Sequence, residues 1–241
     1  MKGLISAIQF ITILRIGKVE HFEPQRMIPF FPIVGLILGV VVSVFDWIVL
    51  QLFSRPVASF LDVVVLIVLT GALHIDGLGD MADGLFGHHS REKALSIMKD
   101  SRIGAMGLVA IVCAIIVKWC GIIGLEQQRH LILIIIPALS RGSMLFGIRL
   151  LPYGRPEGGT GHPFFSHELN LAAFAGLALP LVLSLFLGLR GLWLGLAFMV
   201  FTGIVLYYYK KRLGCITGDM LGAMTEGMES VLFLFVSASL F

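Results

Sequence analysis

Three carboxylates, Asp76, Asp80 and Asp83, stand at i, i+4 and i+7 in the stretch His74-Ile75-Asp76-Gly77-Leu78-Gly79-Asp80-Met81-Ala82-Asp83-Gly84. On a helix of about 3.6 residues per turn, that spacing puts all three on one face. Like charges so placed repel, so the pattern calls for something positive against them. Hard oxygen ligands suit Mg²⁺, which binds through a few carboxylates together with substrate phosphates. The three acids spread over roughly 10 Å of helix axis, too far to close easily on one metal cluster. A second acidic helix is therefore expected, and Asp219 with Glu226, seven positions apart, supplies one. Thr217 can cap it, and Gly218, Gly222 and Ala223 are small enough to admit another helix or a ligand.

Other polar residues are candidates for the same chemistry. Asp100 and Arg102 sit in Met98-Lys99-Asp100-Ser101-Arg102-Ile103-Gly104, just before an apolar segment, where a helix cap is the alternative reading. The glycine-rich loop from Tyr153 to His162 carries Arg155 and suits a phosphate ester held by backbone N–H groups and a guanidinium. It is no P-loop, since no Gly-Lys-Ser/Thr follows. His162 and His167 read as surface histidines. Arg141, a charge inside an apolar span, is expected to pair with an anionic group. Lys118 has no evident role, and His74 either packs or touches the site from the opposite face.

These residues must be positioned by membrane helices. The chain of 241 residues is 57% hydrophobic and only 14% charged, with a mean hydropathy of +0.95. Soluble domains carry about a quarter charged residues, so this composition indicates an integral membrane protein. The expectation is an all-α, polytopic bundle forming a single domain over residues 1–241, with about seven transmembrane segments. Candidate spans are 28–53, 57–75, 103–125, 131–151, 171–189, 191–209 and 227–241. Residues 3–14 are too short to span and read as an interfacial or re-entrant helix, and no cleavable signal peptide is expected. Cys113, Cys120 and Cys215 form no Cys-x-x-Cys pair, so neither a disulfide framework nor a zinc site is expected.

The basic residues fix an expected orientation. One side holds Lys2, Arg15, Lys18, Arg26, Arg91, Lys93, Lys99, Arg102, Arg149, Arg155, Lys210, Lys211 and Arg212. The other holds Arg55, Arg129 and Arg190, while Lys118 and Arg141 lie within spans. Thirteen against three is a strong positive-inside bias, which makes the polar loops cytoplasmic. Tyr207-Tyr208-Tyr209 before Lys210 reads as an interface belt, with no need for nucleic acid. Carboxylates and arginines on one membrane face point to Mg²⁺-dependent phosphoryl-group transfer. A CDP-alcohol or polyprenyl-type membrane phosphotransferase and an ion-coupled transporter are the alternatives. Coupling residues of transporters lie near the midplane, often within repeated halves. Here the acids cluster at one edge and no repeat is seen.

The chain resembles the cobalamin synthase family, the adenosylcobinamide-GDP ribazoletransferases. The resemblance is carried by the motifs His74–Gly84, Met98–Gly104 and Thr217–Ala223, with Phe30-Phe31-Pro32-Ile33-Val34-Gly35 similar to the family's opening span. It extends from about residue 5 to residue 230, and departs at Cys215, where a small glycine-like residue is expected. It implies attack of α-ribazole, or its 5′-phosphate, on the phosphorus esterified to the cobinamide side of adenosylcobinamide-GDP. GMP leaves and adenosylcobalamin, or its 5′-phosphate, forms in the last stage of nucleotide-loop assembly. It further implies a Mg²⁺-dependent, multi-pass enzyme of the cell inner membrane. The candidate site then comprises Asp76, Asp80, Asp83, Asp219 and Glu226 as metal ligands, and Asp100, Arg102 and Arg141 as catalytic groups. His74, Arg155, Thr217 and Gly218 are candidate substrate contacts. Expected partners are the two substrates and the lipid bilayer; self-association into a homo-oligomer stays open.

Overall fold

The architecture was taken from a computed structural model that describes residues 2–17, 23–87, 89–155, 158–159 and 161–238. Lys18, positions 156, 157 and 160 of the glycine-rich loop, and 239–241 of the last expected span lie outside the described residues. Every regular element is helical. A single isolated backbone bridge, Tyr153 to Ile216, is the only strand-like pairing among the described residues.

The helix α8 (Arg129–Leu150) is the bundle's axis, with 83% of its most apolar window buried. Against it lies α3 (Phe31–Val49), which follows the short α2 (Pro24–Met27). The two come close because Gly35 and Gly39 face Pro137 and Ile134; a Cβ on Gly39 would sit 2.6 Å from the Ile134 Cα. This is a small-xxx-small approach, where missing side chains let backbones touch. The outer helices α7 (Ala105–Ile123) and α10 (Leu189–Arg212) are only 22% and 28% buried in the same measure. Their free faces carry Leu108, Val112, Ile116, Leu196, Met199 and Val200, which suits contact with lipid tails.

Among the described residues four helices are long and apolar enough to cross a membrane: Pro24–Val49, α7, α8 and α10. A fifth crossing arises if α4 (Arg55–Leu69) and α5 (Leu73–Leu85) form one broken span. They meet at 89°. The cause is local: Gly71 (φ 58°) and Ala72 (φ 59°) both adopt left-handed backbone, which reverses the helical sense for two residues. The structure thus differs from seven independent spans. The expected 57–75 span ends at this corner, and the 171–189 region breaks into a 3₁₀ turn (Leu171–Leu177) and α9 (Ala178–Leu185). The last helix, α11 (Gly218–Val236), is long enough but carries Asp219, Glu226 and Glu229. At the amino terminus α1 (Lys2–Ile11) buries Ala7, Ile8 and Ile11 in the core, as a non-spanning helix would.

Buried charges tie the bundle together. Arg129, assigned from the sequence to an outer connection, is 8% exposed. It donates to Asp46 (2.7 and 2.9 Å), Asp62 (2.9 Å) and Ser59 (3.1 Å), joining α8 to α3 and α4. Removing one partner of such a cluster leaves an uncompensated buried charge, at a cost of about 3–5 kcal/mol. Arg129→Ala is therefore expected to lower the thermal midpoint of the detergent-solubilised protein markedly. An unchanged midpoint would show that this cluster does not hold the three helices.

Candidate active site

The acidic helix α5 packs directly on α11, and glycines on both sides permit it. A Cβ on Gly77 would come within 2.8 Å of the Asp219 carbonyl oxygen and 3.0 Å of its Cα. Reciprocally, a Cβ on Gly222 would meet the His74 Cα at 3.2 Å. Asp219 is thereby brought beside the residue that follows Asp76, joining two acids far apart in the chain. Asp80 lies within electrostatic range of Asp76, Asp83, Asp219 and Arg155. Asp76 is exposed and Asp80 half-buried. Neither makes a hydrogen bond or ion pair to another described side chain, which leaves their oxygens available.

The other candidates divide by what holds them. Asp83 accepts from Gly104 N (2.6 Å) and Gly107 N (2.8 Å), the otherwise unsatisfied amides at the start of α7. Its place is that of a clamp joining α5 to α7, a role that Asp76 and Asp80 do not share. Arg155 reaches Asp219 Oδ2 at 2.6 Å and Met98 O at 2.9 Å. The bridge between Tyr153 and Ile216 aims it, through Gly154 N to Ile216 O (2.9 Å) and Ile216 N to Pro152 O (2.9 Å). Thr217 is fully buried and caps α11 by accepting from Met220 N at 3.3 Å. Gly218 instead lines the open cleft beside Asp219.

Asp100 and Arg102 pair with each other at 2.6 Å on the surface, in the segment between α6 (Arg91–Ile97) and α7. Hydrogen bonds from Arg102 hold the Asp100 carboxyl down, to about 2. The pair is solvent-facing, with Arg102 86% exposed, and no bond in the structure carries it to Asp76 or Asp219.

Two of the candidates have protein partners inside the bundle. Glu226, expected as a metal ligand, bonds Lys118 Nζ at 2.6 Å and is 3% exposed, about 10 Å along α11 from Asp219. Arg141, expected as a catalytic group, is buried and bonds Glu229 and the Pro137 carbonyl. Lys118 also reaches Glu229 at 2.6 Å, and Ser140 donates to Glu229 at 3.2 Å. Two cations and two anions compensate one another in the bundle interior, where single charges are expensive. The intramembrane charge of Lys118 was visible in the sequence, but its partners lie on another helix and were not.

The cleft that opens at the acidic edge has a cavity volume of about 80 Å³. Sequence reasoning missed its aromatic wall: Phe10, Phe31 and Phe164 come from three distant segments, and no spacing signals them. The polar loops gather at this same end. Arg91 donates to Leu213 O (2.7 Å), Arg212 to Gly87 O (2.9 Å), and Gln25 to Phe164 O (3.0 Å). Among the described residues no three His, Cys, Asp or Glu side chains converge as a ready-made metal site.

The chain matches the family model described as cobalamin-5-phosphate synthase over residues 3–237. It is 34% identical over 245 residues to the adenosylcobinamide-GDP ribazoletransferase of Chlorobium phaeovibrioides, covering 99% of this chain and 97% of the relative. The enzyme of the same name from Geotalea daltonii is 33% identical over 227 residues, covering 91% and 90%. That from Thermoanaerobacter sp. strain X514 is 35% identical over 250 residues, covering 100% and 99%. No solved structure matches significantly.

Clamp and free acid separate in stability. Asp83→Ala removes two hydrogen bonds to a charged acceptor, each worth about 1.5–3 kcal/mol, and should lower the thermal midpoint in detergent. Asp76→Ala removes no protein contact and relieves like-charge repulsion, so its midpoint should stay level or rise. Equal losses in the two variants would contradict this division.

Proposed function

This chain belongs to the cobalamin-5-phosphate synthase family, and we propose that the edge formed by Asp76, Asp80, Asp219 and Arg155 is where its transfer chemistry occurs. It is a transferase of cobalamin biosynthesis, an adenosylcobinamide-GDP ribazoletransferase like its relatives. That membership sets aside the CDP-alcohol and transporter alternatives. A hydroxyl oxygen of α-ribazole, or of its 5′-phosphate, forms a bond to the phosphorus esterified to the cobinamide side. The diphosphate P–O bond breaks, and GMP departs with its electron pair. The hydroxyl proton passes to a carboxylate at this edge.

The observation that carries the site is a pair of uncommitted carboxylates held against a third acid and one arginine. Hard oxygen donors of this kind fit Mg²⁺, which keeps several waters and binds by one or two carboxylates plus substrate phosphates. The absence of a preformed three-ligand group is in keeping with a site completed by the diphosphate. Asp76 and Asp80 would hold the ion with help from Asp219, and the ion would neutralise charge on the leaving phosphate. Arg155 is poised to exchange Asp219 for a phosphate oxygen, a favourable bidentate partner for guanidinium. Asp100 and Arg102 sit on the approach and could steer the anionic substrate.

The basic bias among the loops supports a cytoplasmic site on a multi-pass protein of the cell inner membrane. Counting α11 and the 171–185 region as membrane-embedded brings the segments near seven.

Two experiments test this reading. Purified protein should release GMP from adenosylcobinamide-GDP and α-ribazole only with Mg²⁺ present, and turnover unaffected by chelation would remove the metal. Asp76→Asn and Asp219→Ala should each lower kcat by about 10²-fold or more, with the double variant little worse than either, since the groups act as a unit. The second experiment is topological. A cysteine in Gly158→Cys should resist impermeant reagents applied outside intact cells; labelling from outside would invert the orientation.

A further inference from the structure

One polar side chain in the cleft has no role in the transfer described above. His74 is 1% exposed, and neither Nδ1 nor Nε2 has a hydrogen-bond partner among the described residues. Buried polar groups without partners are costly and uncommon, so an imidazole left this way has a partner that is missing from the protein itself. His74 lines the same cleft as Asp76 and Asp219.

The remaining walls define what that partner is attached to. The Phe10 and Phe164 rings lie 4.9 Å apart and Phe31 and Phe164 5.8 Å apart, all tilted to one another. With Ile148 and Leu221 they form one apolar, aromatic wall of the cleft, which opens beside Asp76. Of the groups the reaction brings together, the guanine of the departing nucleotide carries several donors and acceptors along its edge, whereas with Asp76 and Asp219 assigned above to the reacting centre one imidazole is left in this cleft for a base. The corrin ring is bulky and fringed with amides. Ribazole has a flat benzimidazole-type base with an apolar body and one free ring nitrogen that accepts one hydrogen bond. That chemistry matches an aromatic slot with one donor.

We propose that this cleft is the acceptor pocket: the ribazole base lies against the wall formed by Phe10, Phe31 and Phe164, and His74 donates to its free ring nitrogen. The ribose is then left at the mouth, where Asp76 and Asp219 stand and Gly218 and Gly222 leave room for it. Nucleophile and acid are thus brought together by burial of the base, an entropic contribution to the rate. The inference rests on the transferase reading above.

The test uses full-length protein in detergent and separates the two substrates. His74→Leu keeps an apolar side chain but removes the donor. Its KM for α-ribazole should rise by about tenfold, the equivalent of one lost hydrogen bond, while KM for adenosylcobinamide-GDP stays near the wild-type value. Phe10→Leu, a milder change in a half-buried ring, should shift the same KM in the same direction and guards against misfolding of the first variant. In a second arm, α-ribazole alone should raise the thermal midpoint of wild type and of Asp76→Asn, but raise that of His74→Leu much less. If both KM values move together, or neither moves, or the stabilisation by α-ribazole is equal in all three proteins, the pocket assignment is wrong while the transferase reading stands. If adenosylcobinamide-GDP alone produces the His74-dependent stabilisation, the cleft belongs to the other substrate. Failure of the wild type to release GMP at all would instead bring down the transferase reading.

Discussion

The site depends on how closely α5 can approach α11. Asp76 and Asp80 would repel Asp219 at any distance, so contact between their helices needs a force that outweighs three carboxylates. Backbone contact at Gly77 and Gly222 supplies dispersion and removes steric bulk. Lower on α11, Glu226 and Glu229 are held by Lys118 of α7 and Arg141 of α8. Those pairs anchor α11 against two other helices, so the repulsion at its amino end has little freedom to open the contact. Repulsion held in this way is a standing demand for a cation or for protons at the edge of the bundle.

Position along the helices separates structural charge from reactive charge. The compensated charges lie within the bundle, where an unpaired ion is most expensive. Arg129 with Asp46 and Asp62 holds the opposite end, about 29 Å along α8 from Ile148, which lines the cleft. At the polar end Asp76 and Asp80 stand without a protein partner among the described residues. Asp83 belongs to the structural class despite its place in the acidic motif: its charge is spent on the amino terminus of α7, which fixes the angle between α5 and its neighbour.

The corner at Gly71 and Ala72 explains why an acidic helix can exist at this depth. A straight continuation of α4 would carry the three aspartates along a span axis. The 89° bend instead turns α5 away from the α4 axis and onto α11 and α7, with Ile75 and Leu78 buried and Asp76 facing the cleft. Ala72 accepts left-handed backbone there, a conformation that L-residues adopt only when their surroundings demand it. Leu69 O, receiving Ile13 N at 2.8 Å, ties the corner to the segment after α1. The wall that supplies Phe10 and the helix that supplies Asp76 are therefore coupled.

The sequence by itself determined the class of molecule. Its hydropathy makes a helical membrane bundle, the i, i+4, i+7 aspartates make one acidic helix face, and the glycines beside Asp76 and Asp219 mark where two such helices can touch. Each follows from local periodicity or side-chain size, which the chain displays directly. What only the tertiary structure decided is which charge meets which. Glu226 and Asp219 share one helix face in the sequence, yet Lys118 claims the first and Arg155 the second, because partners are chosen across helices and not along them. Asp83 looked like its two neighbours until the α7 amides were seen against it. The aromatic cleft was invisible for the same reason: Phe10, Phe31 and Phe164 are ordinary apolar residues until three distant segments fold them around one histidine.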